Sequence, residues 1–134
     1  MSLFVDTSVW SLALRRDTPP ASPEVELLGR ALDMGETVVA TGLVLQELLQ
    51  GFQGPRAAKR IIENFRLLPL VYPETEDHIA AAEIRIGCRR RGIQVGTIDA
   101  LIARLCIRYQ LYLLTTDRDF ESIAAHFPLK LARS

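Results

Sequence analysis

The chain has 134 residues, 49% of them apolar and 24% charged, which is the size and make-up of one globular domain over 1–134 and excludes a disordered or fibrous protein. Its 16 lysines and arginines balance 16 aspartates and glutamates, so any nucleic-acid binding must come from local patches rather than from a global positive field. Cys88 and Cys106 fit no zinc-binding spacing, Leu3-Phe4-Val5 is too short for a signal peptide, and no run approaches the ~20 apolar residues of a membrane helix. A reduced protein of the cytoplasm, without membrane contact, is expected.

Leu3-Phe4-Val5 reads as a buried strand that stops at Asp6-Thr7-Ser8, residues suited to turns and helix starts. Ser22-Pro23 with Glu24 and Glu26 predicts a helix start, and Gly35 its end. Val38-Val39-Ala40 is a second strand. The segment from Gly42 to Phe52 repeats Leu45, Leu48, Leu49 and Phe52 at helical spacing, which puts Glu47 on a helix. A further helix runs from Pro55 to Phe65, and Leu70-Val71-Tyr72 reads as a strand between two prolines. From Thr75 to Arg91 the spacing predicts a long helix with Ile79, Ala82 and Ile86 as its apolar face and Gly92 as its terminator. Ile98 to Tyr109 has strong helical periodicity with Thr97 as N-cap, so Asp99 falls in a first turn. Leu111 to Leu114 is a strand leading into Thr115-Thr116-Asp117. Phe120 to Phe127 and Leu129 to Leu131 read as a last helix and strand.

Strands alternating with helices in this way imply an α/β fold, a three-layer sandwich with a mainly parallel central sheet. In such sheets ligands bind at the carboxyl ends of the strands, near the point where strand order reverses. Asp6 and Asp117 follow two strands and share that edge; Asp99, at a helix start, and Glu47, from the side, can join them. Taken singly, each acid has an ordinary reading as a turn, cap or surface residue. Together they keep apolar company: Glu47 lies among Leu45, Leu48 and Leu49, and Asp99 between Ile98 and Ala100-Leu101-Ile102. Carboxylates so close repel one another unless a cation sits between them, and an all-oxygen set favours Mg2+ or Mn2+.

Four stretches carry a family likeness: Phe4-Val5-Asp6-Thr7-Ser8-Val9-Trp10, Leu45-Gln46-Glu47-Leu48, Thr97-Ile98-Asp99-Ala100-Leu101-Ile102-Ala103, and Leu113-Leu114-Thr115-Thr116-Asp117-Arg118-Asp119-Phe120. In this order, over nearly the whole chain, the sequence resembles the PIN-domain nucleases, and among them the VapC-type toxins of toxin-antitoxin pairs. The resemblance implies a magnesium-dependent endoribonuclease with Asp6, Glu47, Asp99 and Asp117 as the acidic set. It makes Asp6, Asp99 and Asp117 the metal ligands, Asp6 and Asp99 foremost, with Asp119 as an accessory acid. Ser8 and Thr116 match family positions that can hydrogen-bond the carboxylates. It further implies an antitoxin partner and a homodimer.

An RNA backbone near such a site needs cations beside the acids. Arg15 and Arg16, and Arg85 and Arg89 with Arg90 and Arg91 beyond them, are the candidates. Trp10 reads as core or subunit interface rather than a base platform, and His78 and His126 have no assigned role. Two other functions compete: an aspartate-nucleophile phosphatase, disfavoured because Ser8 stands where a second aspartate is usual, and a non-catalytic RNA- or protein-binding module of the same fold.

Overall fold

The computed structural model describes residues 1–15 and 22–133. Arg16, one of the candidate RNA contacts, lies outside them. In chain order come β1 (Leu3–Val5), α1 (Thr7–Ala13), α2 (Pro23–Asp33), β2 (Val38–Val39), α3 (Gly42–Gly51), α4 (Pro55–Phe65), α5 (Thr75–Arg90), α6 (Thr97–Arg108), β3 (Tyr112–Leu114), α7 (Asp119–Ala124) and β4 (Lys130–Leu131). The strands form one sheet of order β2-β1-β3-β4 in which every pairing is parallel. The α/β architecture is the expected one.

Local chemistry accounts for the helix starts. Ser22 Oγ accepts the Val25 N–H at 3.4 Å with Pro23 in the first turn. Buried Thr41 accepts from Leu43 and Val44 at the start of α3. Leu3, Phe4, Val5, Leu113 and Leu114 are almost wholly buried in the sheet, as parallel strands covered by helices must be. Trp10 is core, its ring 5.3 Å from that of Phe65. Cys88 and Cys106 are buried free thiols, and burial pushes both above the ordinary thiol range, which keeps them unreactive. His78 and His126 are exposed.

The fold departs from the sequence reading in three places, the smallest being that Gly96 rather than Thr97 is the N-cap residue of α6. Leu70-Val71-Tyr72 is no strand: it makes one isolated bridge, Ala40 with Leu70, between Pro69 and Pro73. A proline supplies no ladder N–H, so pairing stops there. On α5 the buried face is Asp77, Ala81, Ile84 and Cys88, whereas Ile79 and Ile86 stay 50% and 42% exposed. Ala81, Ile84 and Cys88 repeat at the same spacing as Ile79, Ala82 and Ile86, so the helix offered two apolar stripes and the smaller residues face inward.

The chain places β2 on one side of β1, then returns through α3 to α6 to lay β3 on the other. Strand order therefore reverses at β1 and β3, and the crevice beyond their carboxyl ends is where a ligand is expected.

Candidate functional site

Asp6 closes β1 and is the N-cap residue of α1, yet its carboxylate makes no capping bond. Oδ2 instead accepts two hydroxyls, Ser8 Oγ at 2.9 Å and Thr115 Oγ1 at 2.8 Å. Register explains the second donor: Val5 pairs with Leu114, so the next residues, Asp6 and Thr115, leave the sheet side by side. Thr115 Oγ1 also accepts the Asp117 N–H at 3.0 Å, and Ser8 Oγ accepts the Thr116 N–H at 3.1 Å. The two strand ends are thus laced together by Ser8 and Thr115. Asp117 Oδ1 in turn accepts the Asp119 N–H at 2.9 Å.

Glu47 reaches the same place from α3, with Oε1 accepting the Thr7 hydroxyl at 2.9 Å. Asp99 comes from the first turn of α6. Its pKa is pushed up to about 6, first by burial and then by the negative charges of Asp6, Asp117, Glu47 and Asp119. One site therefore gathers all four acids singled out in the sequence, with Asp119 beside them. Carboxylate oxygens of Asp99, Asp117 and Asp119 lie within 4.8 Å of one another, close enough to share one ion. That tightest triad contains Asp119 where the sequence reading placed Asp6.

The donor set is all oxygen and carries no histidine or thiolate, which suits a hard divalent cation. A cation would also offset the burial and the like charges that raise the Asp99 pKa. Such an arrangement can bind an ion and, through it, a phosphate.

Sequence reasoning missed Thr7 and Thr115. The threonine hydroxyl on Asp6 belongs to Thr115, while Thr116, the expected accessory, is exposed and contributes its backbone N–H to Ser8. The parallel register was the signal that separates the two threonines. Of the candidate cations, Arg85 donates Nε–H to the Val95 carbonyl at 2.6 Å and so pins the loop leading into α6, the helix of Asp99. Arg15 and Arg89 are exposed, as are Arg90 and Arg91. A cleft of about 420 Å³ opens beside Asp117, lined among others by Thr115, Arg118, Glu121 and Arg133.

The PIN domain family matches residues 3–126 of the chain. Among solved structures it is similar to VapBC2 from Rickettsia felis bound to a DNA fragment from its promoter, at 21% identity over 98% of each chain with a TM-score of 0.75. It is also similar to VapBC-1 from nontypeable Haemophilus influenzae, at 15% identity over 99% of this chain and 98% of that one, with a TM-score of 0.78. A third is VapC20 of Mycobacterium tuberculosis, described as a sarcin-ricin loop cleaving toxin, at 21% identity over 99% of this chain and 100% of that one, with a TM-score of 0.69. At these identities the likeness is one of fold.

Proposed function

From the premise that this chain belongs to the PIN domain family, we propose that it is a metal-dependent endoribonuclease, the toxin of a toxin-antitoxin pair. The observation that carries the metal and the chemistry is Asp99, held at a pKa of about 6 among four other carboxylates. A cation among these carboxylates offsets the burial and like charge that oppose the ionisation of Asp99.

Asp99 and Asp117, with Asp6 and Asp119 beside them, hold Mg2+ or Mn2+ in this reading. When bound, the ion supplies Lewis-acid polarisation of the scissile phosphate and makes the attacking water more acidic. Ser8 and Thr115 fix Asp6 through one oxygen, which leaves the other for the ion in this reading. Thr7 fixes Glu47, and the second oxygen of Glu47 takes a proton from the attacking water in this reading. The reaction is in-line displacement at a phosphodiester, with Asp6, Glu47, Asp99 and Asp117 as the catalytic set. Arg15, Arg16, Arg85 and Arg89 bind the RNA backbone, Arg85 with the donors that Val95 leaves unused.

The partner in this reading is an antitoxin protein, since the similar structures include VapBC complexes. The exposed Ile79 and Ile86 stripe of α5 is offered to a second copy as a homodimer contact. Among the described residues no helix is long and apolar enough to cross a membrane; the proposed setting is the cytoplasm.

The test is incubation of purified protein, free of any partner, with a pool of structured and unstructured RNA, with magnesium or excess chelator, alongside Asp6→Asn. Discrete products that require both metal and Asp6 are expected. Intact RNA throughout, with binding unchanged by chelator, would overturn catalysis and leave a binding module of the same fold.

A further inference from the structure

A second cleft, of about 450 Å³, lies away from the acids and is lined by Leu14, Phe52, Gln53, Gly54, Pro55, Arg56, Ala57 and Arg60. Arg56 and Arg60 both line it and, among the described residues, no carboxylate does. Arg60 donates an Nη2 hydrogen bond to the Leu14 carbonyl, but its Nε is fully buried without a partner. A buried guanidinium N–H without an acceptor is costly, and among the described residues no ion pair offsets the Arg60 charge. The start of α4 adds to this: Gly54 is its N-cap residue, no side chain caps it, and its first amides are left to an external acceptor.

The cleft also has apolar walls in Leu14, Phe52, Pro55 and Ala57. An inorganic ion has no use for these, whereas a nucleotide joins an anionic phosphate to apolar faces of sugar and base. Position fits the same ligand. Helix α1 begins directly after Asp6 and leads to Leu14, and α3 carries Glu47 and leads to Phe52, so both helices run from the acid cluster to the cleft. From Asp6 to Leu14 is about 12 Å of helix rise, a span that a few nucleotides of extended strand cover.

We infer that the Arg56–Arg60 cleft is a phosphate subsite that grips the RNA backbone at a phosphate away from the one placed at the acids. The inference rests on the RNA substrate proposed above. It adds to the arginines assigned to the backbone above a second cationic hold, of the kind guanidinium forks are shaped to give.

The test is binding, so that it does not depend on cleavage. A labelled single-stranded RNA is titrated in chelator, over a range of salt, with wild type, Arg56→Ala and Lys59→Ala. Arg56 is exposed, so its loss leaves packing alone, and Lys59→Ala removes an equal charge from the same helix outside the cleft. Arg56→Ala is expected to weaken binding roughly tenfold and to make the slope of log K against log salt shallower by about 0.7, while Lys59→Ala falls well short of both. In parallel, inorganic phosphate should shift the amide signals of Gly54, Arg56 and Ala57 and the Arg60 Nε–H signal in wild type.

Equal effects of Arg56→Ala and Lys59→Ala, or no phosphate shifts, overturn the subsite. Phosphate shifts without any effect of Arg56→Ala on RNA would hand the cleft to an acidic peptide and overturn the RNA assignment. RNA bound through Arg56 but never cut with magnesium would leave the subsite standing and remove the nuclease reading instead.

Discussion

Helices α5 and α6 form an antiparallel pair with an aspartate at either end, and the two ends solve opposite electrostatic problems. At one end Asp77 is fully buried. Arg104 donates to its Oδ1 at 3.0 Å, Arg108 to its Oδ2 at 2.6 Å, and the Glu74 N–H also to Oδ2 at 2.9 Å. Burial raises its pKa, but these bonds outweigh burial and hold it below the ordinary carboxylate value. At the other end Asp99 meets burial and four further acids, and its pKa rises to about 6. A carboxylate that serves the fold is matched by cations within the fold. One whose neighbours are acids is built for a cation from outside.

The largest effect should come from breaking the matched end. Asp77→Ala strands Arg104 and an N–H and leaves Arg108 with Glu74 alone, and since Arg104 and Arg108 are only 28% and 31% exposed the expected loss is about 3 kcal/mol, read as a lower urea midpoint. Magnesium should not restore it. The sign with pH follows from a depressed pKa: the contribution of Asp77 is present above pH 3.8 and fades as pH falls through its lower folded value. Asp77→Asn should therefore flatten the acid limb of the stability curve.

The mismatched end was legible in the sequence and the matched end was not, for a physical reason. Asp6, Glu47, Asp99 and Asp117 each interrupt or follow an apolar run, and the parallel sheet implied by the alternating elements brings the first and last together. Asp77 sits beside Glu76 in a first turn, where acids are ordinary dipole partners, and its arginines lie 27 and 31 residues away. Only the hairpin geometry joins them. The inward face of α5 was hidden because small residues carried it, and the Leu70 segment because strand propensity does not register the donors its flanking prolines lack.

Second in size is the response of the mismatched end. The Asp99 pKa, about 6 against 3.8, means that its favourable protonated form is fully present below pH 3.8 and lost as pH rises through 6. At pH 7.5 without metal the ionised group strains the fold, and after a discount for solvent screening Asp99→Asn should stabilise the metal-free protein by about 1–2 kcal/mol. Magnesium at a hundred times its dissociation constant should stabilise wild type by about 2.7 kcal/mol and lose most of that effect in Asp99→Asn. Calorimetry at pH 5 and 7.5, with and without the ion, reads both. A metal-free Asp99→Asn that is less stable than wild type at pH 7.5 would dissolve the contrast between the two ends.

The smallest effect tests how finely the acid site is held. Thr115→Val keeps the shape of the side chain but removes the donor to Asp6 Oδ2 and the acceptor for the Asp117 N–H. One lost pair of partly exposed bonds costs about 1 kcal/mol of stability. Asp6 and Asp117 then lose their common anchor, so the fall in magnesium affinity should exceed what the stability change predicts, and titration calorimetry measures it directly. Thr116→Val, one residue on and exposed, should change stability by no more than about 0.5 kcal/mol and leave magnesium affinity unchanged. If the two variants behave alike, the strand register that sets Thr115 beside Asp6 is not what orients the carboxylate.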